Sequence, residues 1–215
     1  SINLGSRPQL LDVPGAAQFA TPVKPINLFV DKWHALAARV LSMPGPHRIG
    51  VVGAGAAGVE MMLAIQFRLQ TLLSEAGRND EGLECHLISR CPRILPKFSD
   101  AVAKRFERVL QERGVHVHTE IEATQVSDGA VMLSDGRTIA LDEVLLITGA
   151  SAPDWLRQSG LDVDDNGFPT VDDCLRSTSN ASIFLADDVA AVVNHPREKA
   201  GVYAVRQGPP LADNP

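Results

Sequence analysis

Residues 48–62, RIGVVGAGAAGVEMM, decide the fold. Ile49, Val51 and Val52 form a short apolar run of the kind carried by a strand buried on both faces, and it enters Gly53, Gly55 and Gly58 directly. From Val59 to Phe67 the chain is rich in helix formers and free of proline, so the third glycine is expected to open a helix. Strand, G-x-G-x-x-G turn and helix follow in the order of the first half of a βαβ unit.

The spacing has a physical reason. The first glycine permits a tight turn, and the second lets the backbone approach a pyrophosphate. The third lets helix and strand pack closely while the helix N-terminus faces the phosphates. Ala54, Ala56 and Ala57 are small and leave that approach open. A dinucleotide site is therefore expected along Gly53, Ala54, Gly55, Ala57 and Gly58.

Further βαβ steps follow the glycine turn. Its helix is expected to run to about Glu75, with Gly77 as a stop, before a second strand over residues 85–89. A third helix capped by Ser99 carries Val102, Phe106, Val109 and Leu110 and ends at Gly114; a third strand over 115–117 follows it. Residues 121–141 contain Asp128-Gly129 and Asp135-Gly136 between alternating runs, the signature of a three-stranded meander in place of a crossover helix. The strand 143–148 comes next. A parallel sheet is expected with 49–53 central, 85–89 and then 115–118 on one side, 143–148 on the other, and the meander on one face.

Upstream, residues 9–25 hold Pro14-Gly15, Pro22 and Pro25 and read as a linker or surface loop. Ile26, Phe29, Trp33, Leu36 and Val40 predict an amphipathic helix with Pro25 in its first turn, ended by Pro44-Gly45-Pro46. Downstream, Asp162–Gly167 is a solvated acidic turn lacking the later glutamate of a calcium loop, and 183–186 is a short buried strand ending at Asp187-Asp188. Residues 200–212 read as a helix broken near Gly208-Pro209-Pro210. His116 and His118 alternate on one strand without a supporting carboxylate or cysteine pattern, so no metal site is assigned.

Composition narrows the class. The 215 residues are 45% apolar and 21% charged, ordinary for a globular protein, and a net charge of −6 without a basic block argues against nucleic acid as a partner. No apolar window is long enough for a transmembrane helix. Cys85, Cys91 and Cys174 are odd in number and without redox spacing, which favours a reducing, cytoplasmic setting, with peripheral membrane association open for a longer polypeptide. The chain opens mid-pattern on SINLGSRP without a Met, as an excised piece of a longer polypeptide would.

The order of these elements resembles the pyridine nucleotide-disulfide oxidoreductase family, FAD flavoproteins with a second nucleotide-binding domain inserted in the first. GAGAAGVE (residues 53–60) looks like the family's NAD(P) loop with its following glutamate, and CPRILPKF (91–98) like the loop after the second strand. LLITGASAP (145–153) and SINLGSRP (1–8) are similar to the Thr-Gly strand ends of the two domains. IFLADDVA (183–190) resembles the flavin motif usually written with Gly-Asp, which places Asp188 on FAD and leaves Asp187 where glycine is usual. KAGVYAVRQGPPLADN (199–214) is similar to the helix beneath the flavin ring in type II NADH-dehydrogenase-like members and in the flavoprotein domain fused to some selenide, water dikinases.

The resemblance implies an α/β fold: a Rossmann-like NAD(P)-binding domain over 47–150, a connecting helix over 25–46, and FAD-domain remnants over 1–24 and 151–215. It implies FAD and NAD(P)H as cofactors and a quinone or another small molecule as electron acceptor. The nicotinamide is expected near Glu60, Thr148 and Gly149, and FAD near Gly5, Asp188, Gln207 and Gly208. Glu60 reads equally as a first-turn acid favoured by the helix dipole. The second strand ends on Ser89-Arg90, with Arg93 behind and no carboxylate, so the lean is toward NADPH. The first FAD glycine loop is not in the chain. Tight flavin binding by this chain alone is therefore not expected, and apolar surface left by the missing part would favour self-association. A dithiol-disulfide reductase on the same scaffold and a non-catalytic NAD(P)H-sensing module are the alternatives.

Overall fold

The structure, a computed structural model, describes residues 1–8, 13–23, 26–79, 82–147, 149–197, 199 and 201–213; for Arg7, Pro8 and Leu28 only the backbone is described. In chain order the elements are β1 (Ile2–Asn3), β2 (Arg7–Pro8), α1 (Ala16–Phe19), β3 (Thr21–Pro22), α2 (Ile26–Ser42), β4 (His47–Val52), α3 (Ala56–Glu75), β5 (Leu83–Ile88), α4 (Asp100–Glu112) and β6 (Val115–His118). They continue as β7 (Ala123–Ser127), β8 (Ala130–Leu133), β9 (Thr138–Ala140), β10 (Glu143–Leu146), β11 (Ala150–Ser151), α5 (Asp154–Gln158), β12 (Thr170–Val171), β13 (Leu185–Ala186), a 3-10 turn (Asp187–Val189), β14 (Ala191–Val192) and α6 (Gly201–Ala212). Two compact units result, one of Leu10–Gly149 and one combining Ser1–Gln9 with Ala150–Pro215.

In the Leu10–Gly149 unit a parallel sheet runs in the order β3-β10-β4-β5-β6, with β4 central as its apolar sequence requires. Ile49, Val51, Cys85, Leu87 and Leu145 face the helical layer, where Val59, Met62, Ile65 and Leu69 of α3, Leu36 and Val40 of α2 and Leu110 of α4 are buried. Val52, Ile88, Val144 and Leu146 face the other way, onto Ala123, Val126, Val131 and Leu133 of the β7-β8-β9 meander. The sheet is thus buried on both faces, and each hairpin of the meander turns at the expected Asp-Gly.

Four details depart from the sequence reading. The stretch 9–25 is more than a loop, because Thr21–Pro22 adds an edge strand whose Thr21 hydroxyl donates to Glu143 Oε1 at 2.6 Å, and proline is tolerated on an edge. Ile26 opens α2 but is 63% exposed, outside the buried stripe; Pro25 lies outside the described residues. The helix after the glycine turn begins at Ala56, two residues before Gly58, so Glu60 falls beyond its first turn. α6 is continuous over Gly201–Ala212 with Pro209 and Pro210 inside it: each lacks the N–H of an i→i−4 bond, yet proline's φ is helical, and the helix ends two residues after the second; Ala200 lies outside the described residues. Among the described residues no helix is long and apolar enough to cross a membrane.

A histidine chain crosses the β5–β6 edge on the meander face. Glu84 Oε1 accepts from His86 Nε2 at 3.1 Å, and His86 Nδ1 lies 3.1 Å from His118 Nε2, so His118 donates to His86 in the neutral pair. Burial pushes the pKa of His86 down, against the pull of Glu84; burial and then the charges of His86 and Arg137 push His118 down. His116 stacks on His86 at 4.9 Å, and Arg48 lies 3.4 Å from Glu84. A group with a depressed folded pKa binds protons more readily when unfolded, so its contribution is whole above the unfolded value of 6.5 and fades as pH falls through it. The urea midpoint of the chain is expected to drop between about pH 7 and about pH 5, and to drop less in His118→Asn; equal pH dependence in the two proteins would contradict the account.

Candidate functional site

The sheet reverses its winding at β4: β5 and β6 are added on one side, β10 and β3 on the other. Ligands of open α/β sheets enter the crevice at the carboxyl ends of the strands flanking such a point. The glycine turn lies there. Gly53 has φ +117, and a Cβ built on it would stand 2.1 Å from the Ile147 carbonyl oxygen just past β10. Its N–H donates to Ile88 O at 2.8 Å, so the turn spans the ends of three strands. A Cβ at Gly58 would stand 1.7 Å from Gly53 O, the contact that seats α3 on the turn. A Cβ at Gly55 would meet nothing within 4 Å.

Two of the glycines therefore serve the fold and one faces open space. Gly55 caps α3 with no side-chain hydrogen bond, leaving the first-turn N–H groups without intrahelical acceptors beside a half-buried Ala56 and an exposed Ala57. Such a helix end suits an anion. Ala54 is buried and its carbonyl accepts from Leu95 N–H at 2.8 Å, which ties the 91–98 loop to the turn. Sequence reasoning had no role for Leu95; its signal was Ile94-Leu95, an aliphatic pair in the loop just past Arg93, and both are buried.

The two arginines after β5 differ. Arg93 turns inward: Nη2 donates to Pro96 O at 3.0 Å and Phe98 O at 2.8 Å, while Nη1 lies 3.4 Å from Asp100 Oδ1. Arg90 is exposed at the strand end. Ser89 is buried, with its N–H on His118 O, its carbonyl on Ile121 N–H, and its hydroxyl accepting from Cys91 N–H. Glu60 and Gly149 are exposed, and Thr148 lies outside the described residues. Cys85 is buried, its thiol pushed up to about 12 by burial and the Glu84 charge, which makes it inert as a nucleophile. Among the described residues no group of three or more His, Cys, Asp or Glu side chains could hold a metal ion.

In the other unit β1 and β13 pair in parallel, so Gly5 and Asp188 emerge at the same sheet end. Ser6 Oγ donates to Asp188 Oδ2 at 3.2 Å, and a Cβ at Gly5 would meet nothing within 4 Å. Gln207 is buried, and its Oε1 accepts from Asp187 N–H at 2.7 Å; Gly208 is exposed on α6. Ser6 is a residue the sequence reading missed.

The profile of the pyridine nucleotide-disulphide oxidoreductases matches residues 2–213. The chain belongs to that family. It is 28% identical over 148 residues to the type II NADH:quinone oxidoreductase of Haemophilus influenzae, covering 67% of this chain and 33% of that protein. It is 27% identical over 189 residues to the dihydrolipoyl dehydrogenase of Pseudomonas aeruginosa, covering 84% and 37%. Its fold is that of an engineered water-forming NADPH oxidase derived from the Lactobacillus brevis NADH oxidase and bound to NADPH, with a TM-score of 0.75 and 22% identity over 98% of this chain and 44% of that one. The chain thus spans about a third of the length of these curated relatives.

The glycine geometry separates fold from ligand. Gly58→Ala is expected to destabilise the chain by about 2 kcal/mol or more despite alanine's better helix propensity, because a backbone carbonyl cannot yield the space. Gly55→Val is expected to cost no more than about 1 kcal/mol, the difference between glycine and valine at an N-cap, while weakening NAD(P)H binding at least tenfold by fluorescence titration; a stability loss as large as that of Gly58→Ala would refute the assignment.

Proposed function

We propose that this chain is the nicotinamide-nucleotide unit and part of the flavin unit of an FAD-dependent NAD(P)H oxidoreductase. The carrying observation is Gly55: an unobstructed backbone at a helix N-terminus, at the winding reversal of the sheet, between two glycines where any Cβ would overlap a backbone carbonyl oxygen. The pyrophosphate of NAD(P)H fits the first-turn N–H groups of α3, with the nicotinamide toward Glu60 and Gly149. The flavin side fits Gly5, where a backbone can approach a ligand closely, and Asp188, whose carboxylate is steadied by Ser6. When bound, FAD accepts hydride from the nicotinamide and relays electrons to an acceptor such as a quinone. The chain's own groups bind and orient; no side chain is assigned a chemical step.

NADPH is the favoured nucleotide. A 2′-phosphate is met by arginine and a free ribose by a carboxylate, and β5 ends on Ser89-Arg90. In the engineered NADPH oxidase an aspartate is replaced by alanine and the adjoining alanine by arginine, a loss of carboxylate and a gain of guanidinium at neighbouring positions of that protein. Arg90 is the phosphate ligand in this reading, and Arg93 shapes the loop. The likeness to a dihydrolipoyl dehydrogenase keeps a disulfide reductase as the second reading, decided by whether the full-length polypeptide carries a cysteine pair upstream of Ser1.

Two measurements test the proposal. Arg90→Glu is expected to lower NADPH affinity at least tenfold, with NADH binding held or improved; unchanged NADPH affinity would remove the preference. The 215-residue chain purified with FAD is expected to leave gel filtration colourless yet bind NAD(P)H, since the flavin pyrophosphate loop is not among its residues. Stoichiometric retained flavin would show that loop to be dispensable.

A further inference from the structure

Asp187 occupies backbone space that a side chain resists. Its φ is +69, in the left-handed region where an ordinary residue is crowded against its own carbonyl and glycine is not. The residue opens the 3-10 turn Asp187–Val189 directly after β13, so its conformation sets the direction in which the next residue, Asp188, leaves the sheet. Two side chains hold the turn from one neighbouring segment. Gln207 of α6, 5% exposed, takes the Asp187 N–H on its side-chain oxygen at 2.7 Å. Lys199 donates from Nζ to Ala190 O at 2.7 Å, at the other end of the turn, while lying 4.0 Å over the Phe168 ring.

We propose that Gln207 is a positioning residue: its carbonyl clamps Asp187 in the left-handed conformation and thereby aims Asp188 at its ligand. The inference rests on the reading of Asp188 as a flavin contact. A glycine at 187 would adopt this φ unaided and need no clamp. The aspartate does need one, because without the bond its backbone is free to relax to negative φ, and a rotation there swings the Asp188 carboxylate away from Ser6 Oγ. Burial gives the bond its strength, since an unpaired amide carbonyl beneath α6 would otherwise be left without water. Gln207 therefore acts through the backbone of Asp187, and its effect depends on which residue stands at 187.

That dependence supplies the test. In the full-length polypeptide, Gln207→Leu is expected to speed FAD release at least tenfold, measured by flavin fluorescence after dilution. Asp187→Gly added to Gln207→Leu is expected to return release to within about threefold of wild type, because glycine holds the turn alone. Gln207→Glu keeps a side-chain acceptor for the Asp187 N–H and so keeps the clamp. A double variant as leaky as Gln207→Leu would overturn the proposal, as would a Gln207→Leu protein that keeps FAD normally. The clamp is also read without flavin: in the 215-residue chain the Asp187 amide is expected to exchange hydrogen at least tenfold faster in Gln207→Leu than in wild type and in Gln207→Glu. Equal exchange in all three overturns the clamp. Clear protection in a full-length protein that binds no FAD would instead overturn the flavin reading and leave the clamp standing.

Discussion

A helix and a strand end meet at Gly58 so closely that any Cβ there would overlap the carbonyl oxygen of Gly53. That contact fixes where α3 starts over the sheet, and so where its unpaired N–H groups face. It constrains both partners: Gly53 must take a left-handed φ against Ile147 O, and the helix must begin before Gly58. The buried row of α3, from Val59 through Met62, Ile65, Leu69 and Leu73, then falls on β4 and β5 without adjustment. Packing and ligand geometry are one problem here, solved by removing side-chain atoms.

The sequence was most legible where one physical demand dominated. The apolar run of β4, the two Asp-Gly hairpins and the helices closed by Gly77 and Gly114 each show a local pattern with one structural solution, and the sheet order follows from crossover handedness. It was least legible where the deciding partner is distant. Thr21 joins the sheet because Glu143 accepts its hydroxyl and β10 has an open edge, neither visible from a Pro-rich stretch. Arg90 and Arg93 look alike in sequence, and only the carbonyls of Pro96 and Phe98 show that one is taken up by its own loop.

The histidines teach a related point. His86 and His118 lie far apart in sequence, and alternation on the third strand was all that hinted at them. Parallel register brings His86 opposite His116 and one step from His118, while Glu84 on the same strand closes the chain of hydrogen bonds. His118 also lends its carbonyl to Ser89 N–H at the end of β5. A titrating pair is thus tied by one backbone hydrogen bond to the end of β5, so acidic pH loads the same sheet edge from which the 91–98 loop departs.

The unit formed by the two chain ends raises a topological question that the inserted unit answers. β1 and β13 are parallel neighbours, and a parallel pair cannot be joined by a tight turn; it needs a crossover. Between them the chain builds the whole Leu10–Gly149 unit, with its own sheet and two cores. Because loop-closure entropy grows only with the logarithm of length, a long insertion costs little more than a short one, provided it folds on its own. The departing and returning strands, β2 and β11, pair antiparallel, which brings the ends of the insertion together. That pairing frames the insertion with two segments of one unit, and across them Ser6 Oγ reaches Asp188 Oδ2 at 3.2 Å, a contact 182 positions apart in sequence that only the parallel β1–β13 register makes possible.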